Sequence, residues 1–320
     1  MSCSHEALSP YTRSSEAWDQ VPIATIQKHF AQRLRGVLSR INAQIREAIV
    51  TNDLFNYHGE AEALVDDPPE RIFDFPTDRA KIKGFMQWLR NQLDDQFLEV
   101  VGPDRNQFIR AAYTAGIEYA HDQLSDADIA FQRPDIDDLV GRPTHTSSLR
   151  ELYTRTYEQL ESVRDDVAQS VRDELLEGFR EGKNPTDITR NLTDRINSIG
   201  KHRATLIARS ETMNARSEGT LNRAEEINQS AESEISASHG EWDAAIASDR
   251  TCSFCKAVNG TELTISEMRD TAVVFAKDGR TYRLKPPAHP QGRCNISLTV
   301  GSTIDEPLAD RLPASVQLIT

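Results

Sequence analysis

The chain has 320 residues, room for two or three domains, and its 38% hydrophobic and 7% aromatic content is lean for one large core. Its net charge is −13, carried with 29 Arg but only eight Lys. That balance argues against sequence-blind coating of DNA, which needs clustered cations along the phosphates, and suits a surface kept hydrated in concentrated salt, where screening removes its self-repulsion. No apolar run approaches the roughly 20 residues of a membrane span. The start, Met1 to Glu6, has neither the basic residues nor the apolar stretch of a signal peptide. No membrane partner is expected, and the thiols are expected to stay reduced.

Residues 1–20 are polar and unpatterned, and are expected to be disordered. Ile23, Ile26, Phe30, Leu34, Val37 and Ile41 then recur at three- and four-residue steps, which predicts a helix from about Thr25 that continues through Ile45 and Ile49. Residues 51–77, rich in Pro, Asp and Gly, read as loop. A second helix is predicted over 78–100, ended by Gly102 and Pro103, and a third over about 104–123. Arg133-Pro134 and Gly141-Arg142-Pro143 mark 125–147 as a linker. A long helix follows from about Ser148 to Gly182. Asn184-Pro185-Thr186-Asp187 is a new helix start, with a capping side chain, proline at the first helical position and an acid near the positive end of the dipole. That helix is expected to stop at Gly200, and another to run from Lys201 towards Ser233.

After about Ser236 the texture changes. Segments 241–246, 271–275, 281–284 and 296–300 favour strands, and Lys277-Asp278-Gly279-Arg280 reads as a hairpin turn. The expected architecture is α+β: a mainly helical N-terminal two-thirds and a small zinc-stapled β-rich C-terminal domain. The expected divisions are a disordered N-terminus (1–20), a helical region with linker (21–147), a long-helix region (148–235), the small β-rich zinc domain (236–301) and a tail (302–320).

Zinc is read from Cys252, Cys255, His289 and Cys294. They form Cys-x2-Cys, a 33-residue insert and His-x4-Cys, so three of the four cysteines fall in one 43-residue window. Zn²⁺ takes four tetrahedral ligands from thiolate and imidazole, and two close pairs joined by a folded insert supply them. Apart from His239 no further strong ligand lies near in sequence, so the set reads as closed and structural, with no open position for catalysis. A small domain poor in apolar residues has reason to use such a staple. Free thiols packed in a core, or a redox pair, are the alternatives, although a redox Cys-x2-Cys usually opens a helix after a strand.

Arg195, His202, Arg209, Arg216 and Arg223 are spaced by seven, as are Glu211, Glu218, Glu225 and Glu232. On a helix each set forms a stripe, and an offset of two residues, about 200°, puts the stripes on opposite sides. Arg209, Arg216 and Arg223 thus read either as a solvated mixed-charge face or as an edge that meets an acidic partner or phosphates. Phe254 and Tyr282 read either as base-stacking groups or as packing around the metal.

The stretch Arg203 to Asn214, with Ile207-Ala208-Arg209-Ser210-Glu211 at its centre, resembles the helix string of phage Mu F-like head morphogenesis proteins. Trp242, then Asp249-Arg250-Thr251-Cys252 with Cys255 and Asn259-Gly260, then His289-Pro290-Gln291-Gly292-Arg293-Cys294 follow in that family's order. The resemblance covers about 165–301. It departs at Gly292, where the family's ending usually has a further cysteine. The resemblance implies a minor capsid protein of a tailed virus that rides with the portal protein, enters the procapsid in few copies and supports assembly or genome delivery. Major capsid or scaffold proteins and viral DNA are further possible partners, and the expected location is the virion interior or portal vertex, with the host cytoplasm during assembly. With the acidic, lysine-poor composition it implies a virus of a halophilic archaeon. The alternative is a stand-alone zinc-knuckle nucleic-acid-binding protein. No enzyme is expected: there is no glycine-rich phosphate loop, Glu232-Ser233-Glu234 follows no nucleotide-binding strand pattern, and a metal nuclease would need an open metal with a general base.

Overall fold

Among the described residues, helices fill the part up to Gln229 and the short strands follow it. The computed structural model describes residues 22–51, 78–102, 106–126, 133–229, 239–244, 251–299 and 304–319. The expectations for 1–20, for the loop after Thr51 and for Glu232 lie outside them. The helices are α1 (Ile23–Arg46), followed by a π-helical turn Glu47–Thr51, α2 (Asp78–Val100), α3 (Gln107–Asp126), α4 (Ile136–Val140), α5 (Pro143–Glu181) and α6 (Pro185–Gln229). Then come β1 (His239–Asp243), α7 (Ser253–Val258), β2 (Glu262–Thr264), α8 (Ile265–Asp270), β3 (Ala272–Phe275), β4 (Arg280–Arg283), β5 (Asn295–Thr299), α9 (Leu308–Arg311) and β6 (Val316–Leu318). The chain is thus α+β, with a helical N-terminal part and two small antiparallel sheets at the C-terminal end. Among the described residues no helix is long and apolar enough to cross a membrane.

The chain divides into two compact units. One comprises His29–Asp104 and Thr154–Ile207 and is helical throughout its described residues. Its core takes the α1 stripe expected from the sequence, Phe30, Leu34 and Ile41, together with Phe85, Leu89 and Leu93 of α2, Val167 and Val171 of α5, and Ile188 and Leu192 of α6, all buried. The α5–α6 turn is built as the local residues dictate. Gly182 takes φ +65°, the Lys183 N–H returns to the Gly178 carbonyl at 2.9 Å, and the Asn184 side chain accepts from the Asp187 N–H at 2.9 Å. The expected stop at Gly200 is corrected: α6 runs through it without a break. A Cβ there would sit 2.5 Å from a methyl of Leu38, so this glycine admits α1 to the α6 backbone and does not end the helix. Arg195 therefore lies on the same helix as Arg209, and its guanidinium pairs at 2.9 Å with Glu174, a carboxylate only 1% exposed.

The other unit comprises Met1–Lys28, Arg105–Tyr153 and Ala208–Thr320. Here α3 and α6 meet backbone to backbone. A Cβ on Gly116 would lie 2.0 Å from the Arg216 carbonyl oxygen, and one on Gly219 would lie 2.1 Å from that of Tyr113. The Thr220 hydroxyl donates to the Gly116 carbonyl at 3.0 Å across the same crossing. The two sheets have strand orders β2-β1-β5 and β4-β3-β6, with all described pairings antiparallel. Their core is continuous with the helices: Trp242, Phe254, Leu263, Phe275 and Ile296 belong to one cluster with Ala120 of α3 and Leu221, Ala224 and Ile227 of α6. The stretch after 301, expected as a tail, supplies β6, which pairs with β3 from Val273↔Leu318 to Phe275↔Val316.

Because every atom that a Cβ on Gly219 would meet is backbone, Gly219→Ala is expected to destabilise the protein by about 1–3 kcal/mol or more. Urea melts of Gly219→Ala against a helix-surface control such as Gly36→Ala, where a Cβ meets nothing within 4 Å, check this; equal midpoints would refute the close-crossing account.

Candidate metal centre

Cys252 is the N-cap of α7, in extended backbone, and its sulfur accepts from the Cys255 N–H at 3.2 Å. This local bond, set by the two-residue spacing, points both thiols to one side of the first turn. The second pair comes from the turn before β5. There Gln291 takes φ 63°, and the Gly292 N–H closes back on the His289 carbonyl at 3.0 Å. The Gln291 N–H donates to the Ser210 hydroxyl of α6 at 3.0 Å, which ties this turn to the helix.

These elements bring Cys252, Cys255 and His289 together, with ligand atoms all within 4.8 Å of one another. His289 Nε2 lies 3.0 Å from the Cys252 sulfur and 3.3 Å from that of Cys255. Its Nδ1 lies 2.9 Å from the Pro290 carbonyl, which can only accept. The proton therefore belongs on Nδ1, and Nε2 presents its lone pair to the thiols, the orientation and tautomer that a metal-binding histidine needs. Buried Cys294 lies outside this three-residue cluster but lines the same cavity. The Cys255 thiol donates to its sulfur, which pushes Cys255 up and holds Cys294 below the usual thiol range. All four residues line one cavity of about 300 Å³, with Arg209 and Thr251 also in its wall. None of the three cysteines is in a disulfide. His239, the remaining sequence candidate, is a buried residue of β1, its backbone paired with Thr264 and Thr299.

The donor set of Cys252, Cys255 and His289 is chemically coherent, sulfur and imidazole brought together from two turns. It can hold a transition-metal ion of the thiolate-preferring kind.

The arginine stripe is placed differently from the accessible edge considered above. Arg209 lines the cavity between the two turns. Arg216 lies 4.4 Å over the ring of Tyr119 on α3, and burial lowers its pKa. Arg223, 5% exposed, donates to His121 Nε2 at 2.8 Å and pairs with Glu226 at 2.7 Å. Arg216 and Arg223 thus spend their charge within the chain, because the crossing at Gly116 brings α3 onto that face. The acidic stripe faces the sheets instead: Glu218 pairs with Arg269 at 3.1 Å and with Lys285, and Glu225 pairs with Arg269 at 3.3 Å. Burial alone would push the Glu218 carboxyl up, but the two cations outweigh it and hold it below its ordinary value.

Beneath this contact lies a polar junction that sequence reasoning missed. The Asn222 amide donates to the Tyr113 phenol oxygen at 2.7 Å and to the Ser148 hydroxyl at 2.8 Å. Tyr113 in turn donates to His145 Nδ1 at 2.7 Å, and His145 Nε2 sits 3.5 Å from Glu226. Burial lowers the pKa of His145 and, with the Arg223 cation beside it, lowers that of His121 to about 4. Phe254 is 1% exposed and stacked on Tyr282 with ring centroids 4.1 Å apart, so this pair serves the core; the Tyr282 hydroxyl donates to Asp278 at 2.7 Å.

Residues 169–297 match the family model described as Phage Mu protein F like protein, a phage head-morphogenesis family. The match thus runs from α5 through α6 and the cluster of Cys252, Cys255 and His289 into β5. No curated protein and no solved structure matches the chain.

His121 is neutral when folded and takes up its proton only near pH 4, whereas an unfolded histidine does so near 6.5. A lowered folded pKa gives stability that is present above about pH 6.5 and is lost as the pH falls towards about 4. Urea midpoints are expected to drop between pH 7 and pH 4.5, and His121→Gln, which keeps an acceptor for Arg223 without a titrating ring, is expected to flatten that slope; an unchanged slope would remove His121 from the account.

Proposed function

We propose that the protein is a minor head protein of a tailed virus, which works with the portal protein during head assembly or genome delivery and carries one structural Zn²⁺. One coincidence carries the reading: the residues matched to the phage family are those that build the cluster of Cys252, Cys255 and His289 and seat it on α6. In this reading Cys294 is the fourth ligand. Three thiolates and one imidazole are a zinc set, and filling all four positions leaves the metal no site at which to activate water. The proposed role is therefore structural, not enzymatic. When bound, the ion would hold the α7 turn and the 289–294 turn together, so that the sheets and α6 present one fixed surface. The virion, at the portal vertex or capsid interior, is the proposed location, reached through the cytoplasm of the infected host. Major capsid proteins, scaffold proteins and viral DNA are secondary partners in this proposal.

Two measurements test it. Elemental analysis of purified protein is expected to give one zinc per chain, and Cys255→Ser to lose it; chelation is expected to lower the melting temperature of the wild type by several degrees. Mass spectrometry of purified particles is expected to find the protein in few copies relative to the major capsid protein, and co-expression with the portal protein to yield a complex. Absence from procapsids and virions alike would overturn the viral-head reading.

A further inference from the structure

We infer that the Trp242 indole N–H is the hydrogen-bond donor to the Cys294 sulfur in the metal-bound site, so that a core residue of β1 positions the fourth ligand without touching the ion. The inference rests on the zinc reading above. Three thiolates and a neutral imidazole around a divalent ion leave one net negative charge, spread over the sulfurs. Donors aimed at the sulfurs from outside the ligand set take up part of that charge and fix each ligand's direction. Cys252 already has such a donor, the Cys255 N–H at 3.2 Å. Cys294, borne on the other turn, needs its own.

The sheet register brings Trp242 to it. Trp242 of β1 lies opposite Ile296 of β5, and Cys294 stands two residues before Ile296. Positions two apart on a strand share a face, and such diagonal neighbours lie about 7–8 Å apart, within reach of an aromatic side chain. Burial agrees with a shared inner face: Trp242 is 1% exposed, Cys294 3% and Ile296 1%. Trp242 and Cys294 belong to the apolar cluster that also holds Phe254 and Cys255. The ring has little freedom there. Phe254 meets it edge-on with centroids 6.0 Å apart. The Trp242 backbone is tied down as well, its N–H donating to the Thr261 carbonyl at 2.9 Å and its carbonyl accepting from the Gly260 N–H at 2.8 Å. After the Cys255 thiol, the Trp242 indole is the side chain that bears on the Cys294 sulfur as a donor. Its Nε1 is nevertheless buried and closes no full hydrogen bond among the described residues. A buried donor without a full partner is costly. A thiol sulfur is a weak acceptor, whereas a metal-bound thiolate is a charged and stronger one. Binding of the metal supplies the acceptor for which this N–H is placed.

Zinc affinity and the spectrum of the cobalt-substituted full chain test this. Residues that support metal ligands from outside the coordination set typically contribute 10–100-fold in affinity. Trp242→Phe, which keeps an aromatic ring and removes the N–H, is expected to bind zinc about tenfold or more weakly. In its cobalt form the sulfur-to-metal charge-transfer band should move to longer wavelength, because a thiolate that loses a hydrogen bond gives up charge more readily. Phe275→Leu cuts the same apolar cluster without touching a polar atom, and should keep the affinity and the band of the wild type. In the wild type itself, the Trp242 indole proton should move downfield in the NMR spectrum when zinc is added, a readout that needs no variant to fold. An unshifted band in Trp242→Phe, whatever its affinity, overturns the inference and leaves the zinc reading standing. So does an indole proton that does not respond to zinc, or a Phe275→Leu that loses as much affinity as Trp242→Phe. A wild type that binds neither zinc nor cobalt overturns both.

Discussion

The contact that organises the C-terminal half is the approach of α3 to α6 at Gly116 and Gly219. With carbonyl oxygens about where a Cβ would be, the two helices come closer than side chains ordinarily allow. This closeness has a polar consequence. It turns Arg216 and Arg223 onto α3 and leaves the opposite side of α6, with Glu218 and Glu225, to the sheets. The seven-residue spacing of the two charge stripes thus expresses two packed faces of a single helix. Each charge that is buried there has a partner, as it must where desolvation would otherwise cost several kcal/mol per ion.

Seen from the sheets, the same arrangement explains how so small a β unit persists. Two three-stranded sheets cannot enclose much apolar area by themselves. Their core is completed by Leu221, Ala224 and Ile227 of α6 and Ala120 of α3, so the strands are built onto a helical platform. The cluster of Cys252, Cys255 and His289 then closes the side of the unit where the chain has only turns. Apolar packing and the turn contact sit at different levels of α6: the packing at its end, the Ser210–Gln291 hydrogen bond about three to five turns earlier along it.

Much of this was legible in the residues. The long helices followed from three- and four-residue apolar steps, and the α6 start followed from Asn184, Pro185 and Asp187, because those effects are local. The cluster of Cys252, Cys255 and His289 was legible because cysteine is scarce in this chain and its spacing is geometric. Gly200 was misread because a glycine that ends a helix and a glycine that admits a neighbour look alike until the neighbour, Leu38, is known. The short elements α8 and β2 lie below the length at which periodicity speaks, although Thr264 and Glu267 are a capping box that could have marked α8. The polar junction was out of reach: Tyr113 finds His145 and Asn222 from 32 and 109 residues away, and no local pattern encodes such a meeting.

The departure at Gly292 also has a physical reading. A Cβ there would lie 2.7 Å from the Pro287 side chain and 3.0 Å from the His289 carbonyl oxygen. A cysteine could not enter without moving the turn that aims the imidazole. The glycine instead lets its own N–H close that turn on His289, while Gln291 takes the left-handed conformation beside it. In the proposed zinc site, Cys252, Cys255, His289 and Cys294 would already fill a tetrahedral set, with no use for another thiol. What position 292 contributes is the tightness of the loop, and through it the direction of Nε2. The residue that resembles a lost ligand is better understood as part of the frame that orients a retained one.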